Sequence, residues 1–200
     1  MEAPLKSLKQ SIDPLSSKST LTLTEKTPLE RVQDSERPLE RLMLDLPGFR
    51  GYKLREQRRE ADRIVRSYVY DSLEHSRDGL MSSLQTLTDN KLSELVEPMN
   101  RLVAKLDRVA EKINRASYGY AGFFDSVRIE EPDLDRMLAY DTQLVDSARK
   151  FSEMVTSFRN NLMQNKFDDV RNSQLQLDGA IGGLELAFDQ RKSVIEGVKV

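Results

Sequence analysis

The chain has 200 residues, 38% of them hydrophobic and 32% charged, enough for one bundle-sized domain plus an extension. With 31 basic against 33 acidic residues and a net charge of −2, the bulk composition calls for neither nucleic acid nor an anionic membrane, and the absence of cysteine excludes disulfides, cysteine-based metal sites and thiol catalysis. Tryptophan is also absent and no apolar run approaches the roughly 18 to 20 residues of a membrane span, nor does Met1–Gln10 hold the apolar core of a signal peptide, so a soluble cytoplasmic protein is expected.

Residues 1–46 carry four of the seven prolines, each followed by leucine: Pro4-Leu5, Pro14-Leu15, Pro28-Leu29 and Pro38-Leu39. Two of these extend to Pro-Leu-Glu-Arg. The spacers are rich in Ser, Thr and Lys, with few large apolar groups to bury, so the segment reads as a disordered tail. Its alternative role is docking to a partner, with Leu29, Arg31, Leu39 and Arg41 as the contact residues. Within it, Pro38 to Leu46 places Leu39, Leu42, Met43 and Leu46 on one side, the pattern of a short helix begun by Pro38, ended by Pro47-Gly48 and able to pack on the domain that follows. Phe49 and Tyr52 are expected to lock the junction at residues 46–52.

Residues 47–200 read as a helical domain with helices at about 53–88, 91–116, 133–163 and 167–197. The first has Ala61, Val65, Val69, Leu73, Leu80, Leu84 and Leu87 on its buried side, with Asp78-Gly79 as a weak point. Thr88-Asp89-Asn90 offers capping side chains at the following turn. The second helix has the clearest seam of the chain: Leu92, Leu95, Met99, Leu102, Leu106, Val109, Ile113 and Ala116 alternate steps of three and four. Val96, Val103 and Ala110 widen that stripe, as suits a helix with two or three neighbours. Pro98 lies inside the seam, so either the helix kinks there or its regular part begins near it.

Residues 117–131 form an aromatic loop in which Tyr118, Tyr120, Phe123 and Phe124 alternate with Gly and Ala. They are expected either to plug the end of the core or to form a protein-binding patch. The third helix follows with Leu134, Met137, Leu144, Ala148, Phe151, Val155, Phe158 and Leu162, a series interrupted only by Asp141. That aspartate is expected to be structural and to accept hydrogen bonds from Tyr118, Tyr120 or the loop backbone. A break at Asn160-Asn161 and Gln164-Asn165 precedes the last seam, Phe167, Val170, Gln174, Leu177, Ile181, Leu184, Phe188, Ile195 and Val198. In this helix Gly179, Gly182 and Gly183 cost about 1 kcal/mol each relative to alanine, and close approach of a neighbouring helix is the first explanation, a hinge the second.

These seams predict an all-α fold, an antiparallel four-helix bundle, with two long paired rods as the alternative. Chemistry is scarce. The one histidine, His75, adjoins Glu74 without the repeated Glu-x-x-His of a di-metal bundle, and no phosphate loop, nucleophile elbow or dinucleotide fingerprint is present. No catalytic residue, metal or cofactor is expected. Arg55, Arg59, Arg63 and Arg66 share a helical face that could meet the phosphates of nucleic acid or lipid, but Glu56, Glu60 and Asp62 are interleaved, which favours a self-paired face. The expectation for function is a non-enzymatic scaffold or adaptor that binds a protein partner or its own copies; binding to anionic surfaces is the alternative.

Overall fold

The computed structural model describes residues 38–51, 55–116 and 131–197, with side chains for 38–51, 58–116 and 132–193. Among these residues every regular element is helical. A short helix α1 (38–45) is followed by four long ones, α2 (Arg55–Asp89), α3 (Ser93–Asn114), α4 (Glu131–Met163) and α5 (Phe167–Gly197). The interruptions fall where the apolar phase slips, so the chain forms four long helices rather than two continuous rods. The aromatic loop, Tyr118 to Phe124, lies outside the described residues, as do Leu29 and Arg31.

Both hairpin turns are built alike. Leu92 N–H donates to Leu87 O (2.9 Å) and Lys91 N–H to Thr88 O (3.0 Å); Lys166 N–H donates to Asn161 O (2.9 Å) and Asn165 N–H to Leu162 O (3.2 Å). This double bond pattern satisfies the last carbonyls of a helix when the residue after it turns left-handed. Lys91 and Asn165 do so, each with φ of 58°. The side chains expected to start α3 instead bond backwards onto α2, Asn90 Nδ2 to Thr86 O (2.9 Å) and Thr88 Oγ1 to Leu84 O (3.1 Å), and the residue before α3, Leu92, makes no side-chain cap. Pro98 sits inside α3, which runs on through it from Ser93.

Contacts join α2 to α3, α4 to α5, α2 to α4 and α3 to α5. The turns make each hairpin antiparallel, whereas ion pairs between the hairpins advance together along both helices: Glu94 with Arg171, Lys105 with Asp178, Lys112 with Glu185. α3 and α5 are therefore parallel neighbours. The predicted seams form the core, with Leu95, Leu102, Leu144 and Leu184 all buried, and the widening residues Val103 and Ala110 are buried with them. One close approach does occur: a Cβ on Gly79 would stand 3.1 Å from Val155 Cγ1, so at the residue read as a weak point α4 packs closely on α2.

α1 corrects the boundary of the tail. Leu42, Leu46 and Phe49 are buried in the core and Leu39 packs against it, so residues 38–46 belong to the helical domain. Met43 faces solvent. Charge fixes the same segment from both sides, because Arg41 Nη2 donates to Asp146 Oδ1 (2.8 Å) and Arg149 Nη2 to Asp45 Oδ2 (2.5 Å). Of the residues assigned to partner docking, Leu39 and Arg41 are thus engaged within the chain. Gly48 and Gly51, at φ of 87° and 81°, then return the chain toward α2 through a left-handed backbone that other residues adopt at a cost.

Candidate functional site

Two features stand out against the apolar core. The first is a buried polar layer that ties all four long helices together. On α2, Asp62 and Arg66 are one turn apart, and Arg66 Nε donates to Asp62 Oδ2 (2.8 Å) while its Nη1 donates to the main-chain oxygen of Asn114 at the end of α3 (2.9 Å). From α5, Arg191 Nη2 donates to Asp62 Oδ1 (2.8 Å) and Nε to Asp141 Oδ1 of α4 (2.5 Å). Arg191 and Asp141 are both 0% exposed. Arg58, another turn back on α2, is buried on the same side. Charged groups out of water cost several kcal/mol unless paired, and each carboxylate here receives guanidinium hydrogen bonds. The layer joins the helices to one another.

Asp141 is buried and salt-bridged to Arg191; Tyr118, Tyr120 and the loop backbone, from which it was expected to accept hydrogen bonds, lie outside the described residues. Asp62 and Arg191 escaped the sequence reading. A signal was present: Arg191 occupies the seam position between Phe188 and Ile195, and it stands about as far after the Gln164–Lys166 turn as Asp141 stands before it. Two seam interruptions of opposite charge at matched distances from one turn face each other in a helical hairpin.

The arginine stripe does not persist as a common face. Arg66 is buried in the polar layer, because its side chain answers an orphan carbonyl at the end of α3. Arg63 is exposed and bound to Glu60 through two hydrogen bonds of 3.0 and 2.7 Å, which raise its pKa and lower that of Glu60. Arg59 is exposed, and the side chain of Arg55 lies outside the described ones. His75 is exposed. Among the described residues no three potential ligands gather to hold a metal ion, and no helix is long and apolar enough to cross a membrane.

The second feature is the outward side of α5. Val170, Leu177, Ile181, Leu184 and Phe188 turn inward, and on the far side Leu175, Gly179, Gly182 and Leu186 recur at steps of four, three and four, with Gly183 beside them. Leu175 is 69% and Leu186 59% exposed. The close helix-to-helix approach expected at these glycines is not made by any described helix: among the described residues a Cβ on Gly179 or Gly183 would meet nothing within 4 Å, and one on Gly182 only Lys105 Nζ at 3.7 Å. A hinge is excluded as well, since α5 is continuous through them.

A row of ion pairs runs along one edge of this face. Lys105 Nζ donates to Asp178 Oδ1 (3.2 Å) and Lys112 Nζ to Glu185 Oε1 (3.0 Å) and Asp189 Oδ2 (2.9 Å), while Arg171 Nη2 donates to Glu94 Oε1 (2.8 Å). Burial opposes the charge on Lys112, and the carboxylates of Asp189 and Glu185 outweigh it and raise its pKa. The hydrogen bond from Arg171 lowers that of Glu94. No protein-family model matches the chain, and no curated protein or solved structure is similar to it at a significant level.

Proposed function

We propose that the protein is an up-and-down four-helix bundle that works as a non-enzymatic scaffold or adaptor, and that the outward face of α5 is where it takes a partner helix. One observation carries this reading. Three glycines in a continuous helix cost about 1 kcal/mol each relative to alanine, and nothing in the described fold recovers that cost. Small residues flanked by leucines at heptad spacing let a second helix come close, the leucines supplying apolar contact on either side. Helix-in-groove recognition of this kind reads anchors at three- and four-residue steps. The buried polar layer supports a rigid platform, because charged pairs that join all four helices disfavour other registers.

The test compares affinity purification with the unaltered chain and with Leu175→Asp plus Leu186→Asp. Both positions are exposed, so the double variant is expected to keep the helicity and thermal transition of the parent. The expected result is loss of the specifically retained partner in that variant but not in a control carrying Met81→Asp, an exposed change elsewhere. Retention of the same partner by the α5 double variant would refute the assignment.

A further inference from the structure

α1 shows how one proline-initiated segment of this chain seats on the helices, and a second segment repeats its pattern. In α1 and the turn after it the positions that seat are Leu39, Leu42, Leu46 and Phe49, following Pro38; those facing solvent are Glu40, Arg41, Met43 and Leu44. Pro4, Leu5, Leu8, Ile12 and Leu15 stand at the same intervals as Pro38, Leu39, Leu42, Leu46 and Phe49. The solvent-facing positions of α1 correspond to Lys6, Ser7, Lys9 and Gln10, all polar. Two apolar sets with one spacing and one starting proline suit two seats of one kind.

The seat of α1, on α2 and α4, is filled, with Arg41 and Asp45 paired to α4. Among the long helices α5 exposes two leucines, Leu175 and Leu186, on one face. We propose that Pro4–Leu15 is a second strap, seated on the outward face of α5 with Leu5, Leu8 and Ile12 along Leu175, Gly179, Gly182 and Leu186. This inference rests on reading that face as a docking surface. Charge agrees with it: Pro4–Leu15 carries Lys6 and Lys9 against Asp13, and along the edge of the face the acids Glu94, Asp178, Glu185 and Asp189 exceed the bases Lys105, Lys112 and Arg171 by one. Length agrees too. Residues 16–37 reach about 70 Å when extended, at up to about 3.3 Å each, and span about 25 Å as a coil. Passing from α1 around two helices of about 10 Å diameter to α5 falls within that reach. A tethered segment acts at high effective concentration, so a few apolar side chains suffice for occupancy.

The chain has no cysteine, so one introduced thiol takes a spin label at a single place. Gln10→Cys puts it at the counterpart of exposed Leu44, away from the seating side. In the full chain, the amide signals of Gly179, Gly182 and Gly183 are expected to lose intensity when the label is paramagnetic and to recover it with Leu5→Ser, Leu8→Ser and Ile12→Ser. Undiminished glycine signals would overturn the proposal, and so would loss confined to Gly48, Gly51 and Ile64, which would mean competition for the seat of α1. A mixture of spin-labelled chains with isotope-labelled, unlabelled-thiol-free chains completes the test: loss there assigns the strap to a neighbouring copy and refutes docking within one chain. If the glycines stay unaffected while Leu175→Asp plus Leu186→Asp still releases a partner, the strap falls and the docking surface stands.

Discussion

Replacing Arg191 by methionine isolates the polar layer. Methionine keeps most of the side-chain length and the apolar contacts of the stem while removing the guanidinium. Asp141 then loses its 2.5 Å hydrogen bond and Asp62 one of its two guanidinium partners, Arg66 remaining on the other oxygen. Both carboxylates stay buried, at 0% and 2% exposure. Breaking a buried pair from one side costs about 3 to 5 kcal/mol, much of it the desolvation of the charge left behind. Domains of this size gain about 5 to 15 kcal/mol on folding, so the loss is a large share of the total. At about 2 to 4 °C per kcal/mol, the thermal midpoint should fall by about 10 °C, with a matching drop in urea midpoint followed by far-UV circular dichroism. Adding Asp141→Leu should restore much of the loss, since an apolar pair of similar volume no longer strands a charge. A loss below about 1 kcal/mol, or a double variant no better than the single one, would refute this account of the layer.

Two further outcomes follow from the α5 surface. In a chain whose strap is disabled by Leu5→Ser, Leu8→Ser and Ile12→Ser, Gly179→Ala and Gly183→Ala should each stabilise by about 0.5 to 1 kcal/mol in urea titrations, because an added Cβ meets nothing and the helix loses less backbone entropy. The gain should be smaller in the unaltered chain, where a Cβ obstructs docking; equal gains would count against the strap. The Glu94–Arg171 pair should show in melting curves as a function of pH. Its carboxylate, held below the usual 4.5 by the Arg171 hydrogen bond, contributes stability above that value and loses it as pH falls further. The difference between parent and Glu94→Gln should vanish at the acid end, and a difference that grew there would contradict the assignment. Lys112 acts with the opposite sign: its raised pKa contributes below the usual 10.5 and fades as pH rises beyond it, so Lys112→Met should converge with the parent under alkaline conditions.

What could be read from the sequence and what could not separate along one physical line. Apolar periodicity reports which side of a helix is buried, and it placed the long helices, their turns and nearly all of the core; it also showed the apolar side of α1, but the proline-rich setting put that segment in the tail. It reports nothing about a polar residue on that side except that the series is interrupted. Asp141 was visible as an interruption; Arg191 passed unnoticed because a long charged side chain in a helix is usually assigned to solvent. Arg66 failed for the mirror reason: at helical spacing with Arg59 and Arg63 it completes an apparent basic stripe, and only the end of α3, remote in sequence, supplies the carbonyl that draws it inward. Glycine is the third case. The same residue type serves close approach at Gly79, under Val155, and meets none of the described residues at Gly179 and Gly183, and no local pattern distinguishes the two because the partner that matters is elsewhere in the chain or outside it. An interior helix glycine is thus informative in proportion to what the fold fails to explain. In α5 the unexplained cost and the exposed leucines fall on one face, and that coincidence carries the functional reading where catalytic motifs are silent.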